Sequence, residues 1–150
     1  IKDPYIYRPD SIMLDLEDAV AENQKDAARF SLYHALKTID YRGCERVVRI
    51  NGLDTPYWKE DIRCAVAGGC DAIRIPKTER PEDVRTVEGR IGAAEKEFGI
   101  PEGRTLIMAS IYARHRSGFS VLPFRAGIIQ RTFRHILQGR ESSLWAPART

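Results

Sequence analysis

The sequence predicts an α/β fold: about four parallel strands with three intervening helices, part of a (β/α)₈ TIM barrel, followed by an irregular tail. Three observations carry this prediction. Short aliphatic runs recur at intervals of about thirty residues, the period of a strand–helix–strand unit. The runs do not alternate strictly between apolar and polar, which suits strands buried on both faces of a parallel sheet. Between them lie segments whose apolar residues repeat at helical spacing. A complete barrel usually takes about 250 residues, so this chain of 150 holds roughly half of one.

The four runs are Ser11–Asp15, Arg46–Ile50, Ala72–Pro76 and Thr105–Ala109. The first helix is expected to begin at Asn23 as N-cap, with Asp26 in its first turn and an apolar stripe of Ala28, Leu32, Ala35, Leu36 and Ile39. The second takes Thr55 as N-cap and Pro56 as its first residue, and ends at Gly68-Gly69. The third starts at Pro81, where Glu82 and Asp83 oppose the helix dipole. Its stripe is Val84, Val87, Ile91, Ala94 and Phe98, with Gly99 as the C-terminal cap. Strand, helix, strand in this rhythm means consecutive right-handed units, closed as a barrel or opened as a doubly wound sheet. No glycine-rich fingerprint follows a strand, which counts against a dinucleotide-binding sheet.

Past Ala109 the rhythm stops. Residues 124–137 carry a roughly periodic set, Ile128, Ile129, Phe133, Ile136 and Leu137, that fits a helix, and no strand–helix unit follows. The chain therefore divides into residues 1–109, the N-terminal half of a barrel domain, and residues 110–150, a divergent arginine-rich tail. Charge divides at the same place. Residues 1–109 have 17 Lys and Arg against 20 Asp and Glu, whereas residues 110–150 have seven Arg, no Lys and one acid, Glu141. That asymmetry fits a basic nucleic-acid-binding tail, but the arginines lack an aromatic interleaving or a known module pattern. The abrupt change at Ser110 is expected to reflect a shifted reading frame or a disrupted gene, which sequencing the coding DNA tests.

Composition is that of a soluble globular protein, 43% hydrophobic and 30% charged. No apolar run approaches the roughly 20 residues of a membrane helix, and no signal segment opens the chain. It begins at Ile1, so a preceding stretch is expected. Cys44, Cys64 and Cys70 form no C-x-x-C pair; a metal or disulfide framework is not expected, and a reducing cytoplasm suits them.

Ligands of parallel α/β folds sit at the carboxyl ends of the strands. There the sequence places Asp15-Leu16-Glu17-Asp18, then Arg49-Ile50-Asn51-Gly52, then Pro76-Lys77-Thr78. Clustered carboxylates favour a hard divalent cation held directly or through water. An arginine fork suits a substrate carboxylate, and a lysine can neutralise charge developing on an oxygen. Taken singly, each residue has a plainer reading as a loop cap, a structural ion pair or a solvated side chain; taken together they point to a site. His34 is expected on a helix surface, His115 and His135 receive no role, and Tyr57 and Trp58 are expected to pack.

At these residues the sequence resembles a known family. S-I-M-L-D-L-E-D-A-V, V-V-R-I-N-G-L-D-T-P-Y-W and D-A-I-R-I-P-K-T are similar to the citrate lyase beta-like group of the HpcH/HpaI aldolase superfamily, and within it to citrate lyase beta subunits. The resemblance runs from about Tyr5 to Ala109. It implies a cytoplasmic, homo-oligomeric Mg²⁺-dependent lyase that cleaves citryl-acyl carrier protein or citryl-CoA to oxaloacetate and an acetyl thioester, with a citrate lyase alpha subunit and an acyl carrier protein subunit as partners. By matching motif it implies that Arg49 and Asn51 bind substrate, that Lys77 is catalytic, and that Glu17 and Asp18 act catalytically by holding water on the magnesium or orienting its ligands.

The sequence also departs from the family. An opening strand with its arginine is absent, Tyr112 stands where a glutamate ligand of magnesium is expected, and the later G-A-E-D segment with the aspartate ligand does not appear. Both direct metal ligands are thus missing, and the chain is expected to be truncated and inactive. A malyl-CoA type lyase of the same group is the alternative enzyme. A receiver-like binding module, or a non-catalytic fragment, is the alternative from another class. A half barrel leaves two exposed sheet edges and is expected to dissolve poorly.

Overall fold

A computed structural model describes residues 9–111. The helix expected at 124–137, together with Tyr112, His115 and His135, lies outside the described residues.

The described residues form one four-stranded sheet in the order β1-β2-β3-β4. The strands are β1 (Ser11–Asp15), β2 (Glu45–Arg49), β3 (Ala72–Thr78) and β4 (Leu106–Ile111), joined by helices α1 (Lys25–Thr38), α2 (Trp58–Gly68) and α3 (Pro81–Glu97). Every pairing is parallel. Because each strand is added beside its predecessor, the right-handed crossovers all step in one direction and lay the helices on one face. A receiver-like or dinucleotide-binding sheet instead reverses its strand order. Here β2 pairs with β3, unlike a receiver-like sheet, and β4 pairs with β3 and not with β1, unlike a dinucleotide-binding sheet, which removes the doubly wound alternative for the described residues. This is the connectivity of a barrel.

The core lies between sheet and helices. Val48, Ile50, Ile73 and Ile75 of the sheet are fully buried, as are Ile62, Ala65 and Val66 of α2 and Val87 of α3. Each fully buried aliphatic side chain stabilises by about 1.5–3 kcal/mol relative to exposure. Leu32 and Leu36 of the expected α1 stripe are buried, and Ala28, Ala35 and Ile39 are half-buried. Gly68 allows α1 and α2 to touch: a Cβ there would lie 2.7 Å from Leu36 Cδ1. Gly69 adopts φ 86° and closes α2 by donating to the carbonyls of Ala65 and Val66. Gly99, at φ 65°, ends α3 as expected.

The starts of α1 and α2 differ from the sequence reading. Asn23 lies in a 3₁₀ turn, Glu22–Gln24, and Gln24 takes the N-cap position of α1 without a side-chain bond. Thr55 caps a turn instead of α2: its backbone N–H and its hydroxyl both donate to Gly52 O, and α2 begins at Trp58. α3, by contrast, begins at Pro81 as expected, with Arg80 at the N-cap, and the Asp83 carboxylate accepts from the N–H groups of Glu79 and Arg80. Phe98 of the expected stripe is exposed, with the Arg63 guanidinium over its ring.

Two strands run past their expected ends. β4 continues through Ser110 and Ile111, and Arg74 Nε donates to Ser110 Oγ. β3 reaches Thr78 by way of a bulge, with the register jumping from Ile75↔Ala109 to Thr78↔Ile111. Pro76 has no N–H for the ladder, and Lys77 sits at φ 46°, a left-handed conformation that costs a non-glycine residue on the order of 1–2 kcal/mol.

Candidate active site at the carboxyl edge of the sheet

Arg49, the last residue of β2, is directly opposite Asp15, the last of β1. The two form a fork: Nε donates to Asp15 Oδ1 at 2.8 Å and Nη2 to Oδ2 at 2.5 Å. The same carboxylate accepts the backbone N–H groups of Glu17 and Ala19. Burial by itself would raise the Asp15 pKa; the bonds from Arg49 and from Glu17 N–H outweigh it and hold the carboxyl below its ordinary range. The Arg49 guanidinium is in turn pushed further toward the charged form, first of all by its bond to Asp15.

With one side held by Asp15, Arg49 turns Nη1 toward the loop after β1. It lies 3.2 Å from Glu17 Oε2 and 3.4 Å from Asp18 Oδ2. Glu17, only 8% exposed, uses its other oxygen on Lys77 Nζ at 3.2 Å. The bulge explains that reach, since a bulged residue is re-aimed relative to its strand. The hydrogen bond to Glu17 raises the Lys77 pKa. Five side chains from three strand ends therefore converge, three anionic and two cationic. Asp18 is the loosest of them, 68% exposed at its side chain and at the longest contact.

Asn51 is placed apart from this cluster. It is buried, and both its backbone N–H and its side-chain amide donate to Asp61 Oδ2, at 2.9 and 2.6 Å. Asp61, at the start of α2 and wholly buried, also accepts from Arg29 Nη1 at 2.9 Å. Sequence reasoning missed Asp61 and Arg29, and it missed Lys25, whose Nζ donates to the carbonyls of Leu16 and Glu17 at 2.7 Å each. The available signal was the spacing of Lys25 and Arg29, one helical turn apart and so on the same face.

Tyr57 does more than pack, since its hydroxyl donates to Glu22 Oε1; Trp58 is buried. His34 lies exposed on α1 against the rings of Phe30 and Tyr33. The thiols of Cys44 and Cys64 donate to the carbonyls of Pro9 and Arg29.

Whether the acids suit Mg²⁺ follows from the oxygens. Both of Asp15's are occupied by Arg49 and backbone N–H groups, and both of Glu17's face cations. Among the described residues no three His, Cys, Asp or Glu side chains are grouped to hold a metal ion. As direct ligands Asp15 and Glu17 therefore do not fit the ion, and Asp18, exposed and held only at 3.4 Å by Arg49, does not make a metal site alone. No helix among the described residues is long and apolar enough to cross a membrane.

Three comparisons bear on this arrangement. Residues 1–115 match the family model described as HpcH/HpaI aldolase/citrate lyase. The citrate lyase subunit beta of Leuconostoc mesenteroides subsp. cremoris is 53% identical over 111 residues, covering 74% of this chain and 37% of that protein. The (3S)-malyl-CoA thioesterase of Cereibacter sphaeroides (strain ATCC 17029 / ATH 2.4.9) is 44% identical over 78 residues, covering 52% of this chain and 27% of that protein. A solved structure of CitE from Mycobacterium tuberculosis, complexed with the triphosphate group of ATP, has a TM-score of 0.46 at 22% identity, covering 85% of this chain and 60% of that one; so slight a likeness carries no weight for the site. The chain thus spans 37% of the length of the citrate lyase subunit beta and 27% of that of the thioesterase.

Proposed function

The chain belongs to the HpcH/HpaI aldolase/citrate lyase family, and on that premise we propose that it carries the substrate-carboxylate half of a citryl-thioester lyase site. The observation behind this is the Arg49 fork. Asp15 holds one side of the guanidinium rigid, so the Nη1 edge stays fixed at the rim. A substrate carboxylate reaches that edge by displacing Asp18, the exposed and weakly held partner.

In the reaction of a whole site of this kind, a base takes the hydroxyl proton of the citryl group, the carbon–carbon bond breaks to give the ketone of oxaloacetate, and the electron pair passes to the thioester as an enolate. The protonated base then returns its proton to the enolate carbon; no residue of this half-site is assigned as that base, so it binds without turnover. Lys77 offsets negative charge on the substrate oxygens. Glu17 and Asp18 accept hydrogen bonds from the substrate hydroxyl and from accompanying water. Asn51 supports the site by fixing the β2 loop through Asp61. No step here passes through Mg²⁺, because Asp15 and Glu17 are engaged by Arg49 and Lys77 and Asp18 alone would not hold the ion. In the whole protein, an alpha subunit and an acyl carrier protein would be the partners, in a homo-oligomeric cytoplasmic assembly. Residues 110–150 form the divergent part of the chain and take no part in the proposal.

Calorimetric titration of the full chain with oxaloacetate, with and without Mg²⁺, tests this reading. Binding that needs no Mg²⁺ and disappears in Arg49→Gln is expected, with no turnover of citryl-CoA. Failure of the unmodified chain to bind, or tight binding only with Mg²⁺, would overturn it. The similarity to malyl-CoA thioesterase supports a second reading, a malyl thioester as substrate; (3S)-malyl-CoA competing with oxaloacetate better than citryl-CoA does would favour it.

A further inference from the structure

We propose that Lys25 is a positioning residue that sets the acid-bearing loop after β1, with Arg29 one turn later doing the same for the loop after β2. The inference rests on the reading of the rim as a carboxylate-binding site and adds the element that orders it. Lys25 is the first residue of α1 and is only 8% exposed. Two effects disfavour it there. A cation at a helix N-terminus opposes the dipole, and an enclosed ammonium is costly unless its protons find acceptors.

The acceptors are what give it meaning. Nζ donates to Leu16 O and Glu17 O, both at 2.7 Å, and among the described residues it forms no ion pair. Bonds to two successive carbonyls grip the backbone of the loop at the residue whose side chain spans Arg49 and Lys77. The loop is otherwise held from within, by Asp15 accepting from Glu17 and Ala19 N–H, and from β2 by Leu16 N–H donating to Arg49 O. Lys25 ties this unit to α1.

Arg29 makes the matching link. Its Nη1 donates to Asp61 Oδ1, and Asp61 Oδ2 receives the N–H and amide of Asn51. Two side chains on one face of α1 thus reach the loops after β1 and after β2. The offset between Glu17 and Arg49 is therefore set from the helix as well as by the sheet. The geometry makes the two links separable: loss of Lys25 frees the first loop, and loss of Asp61's anchor frees the second.

Hydrogen exchange of the full chain, read by mass spectrometry, tests this. In Lys25→Met, exchange in residues 16–20 is expected to accelerate about tenfold or more, with residues 47–51 and 72–78 unchanged. Asp61→Asn should show the reverse, loosening the segment around Asn51 and sparing 16–20. Lys25→Arg, which keeps charge and donors, should restore most of the protection and of the oxaloacetate affinity lost in Lys25→Met. If Lys25→Met does not melt cooperatively, Lys25→Gln replaces it with the same outcomes. Unchanged protection of 16–20, or equal loss across all three segments, would overturn the positioning role. Absence of oxaloacetate binding by the unmodified chain would sink the reading of the rim instead, while hydrogen exchange still decides Lys25.

Discussion

Replacing Arg49 with glutamine should destabilise the protein by an amount that depends on pH, and the dependence follows from Asp15. The substitution removes two bonds to Asp15 and the contacts to Glu17 and Asp18. The Arg49 and Asp15 side chains are 26% and 21% exposed, so solvent screens the pair only in part. Asp15 keeps two backbone N–H donors and is not stranded. Charge-assisted hydrogen bonds contribute about 1.5–3 kcal/mol each when buried; with partial exposure and the remaining donors, the net cost at neutral pH comes to about 2 kcal/mol. The folded-state pKa of Asp15 lies below the unfolded value, so its pairing contributes fully above the unfolded pKa of about 3.9 and is lost as pH falls through the folded pKa. Urea denaturation of both forms at pH 7 and near pH 3 is the assay. The penalty should shrink toward acid. A penalty that is equal at the two pH values, or below about 0.5 kcal/mol at pH 7, would refute the reasoning, because it would mean Asp15 and Arg49 are solvated separately.

Other expectations follow from single contacts. Gly68→Ala should cost about 1–3 kcal/mol by overpacking, because its Cβ would meet Leu36 Cδ1 at 2.7 Å; thermal melting checks it. Glu95, almost wholly buried, accepts the N–H groups of Gly103 and Thr105 at 2.7 Å each, so Glu95→Ala should lower stability by roughly 2–4 kcal/mol through two orphaned donors, seen as a fall in the urea midpoint. Burial pushes the Cys70 thiol up to about 12 and the Cys64 thiol up to about 11; neither should react rapidly with a disulfide reagent at pH 8 until urea unfolds the chain. Lys77→Gly should leave stability unchanged or raised, since glycine relieves the φ of 46°, whereas Lys77→Ala should not, as differential scanning calorimetry would show.

By itself the sequence determined the elements and their order. The spacing of the aliphatic runs recovers β1 at its observed bounds and the other strands within a residue or two. Adjacent buried residues put β2 and β3 under cover on both faces as expected, whereas β1 does not meet that expectation, since Ser11 and Met13 are exposed. The glycines that end α2 and α3 were legible for a local reason: each occupies a left-handed φ that other residues rarely adopt. Placing Asp15, Glu17, Arg49 and Lys77 at one edge also needed only the rule that parallel strands point the same way. Helix starts were less legible, since a threonine such as Thr55 can close a turn as readily as cap a helix. Tertiary structure alone decided which partners these groups choose. Asp15 and Arg49 are far apart in sequence, and no periodicity says that the fork closes on Asp15, that Asn51 turns to Asp61, or that Lys25 reaches back to two carbonyls. Such pairings depend on distances across strands and between helices, which chain folding sets and local pattern does not encode. The same packing gave Lys77 its direction, through a bulge at Pro76 that only strand pairing reveals.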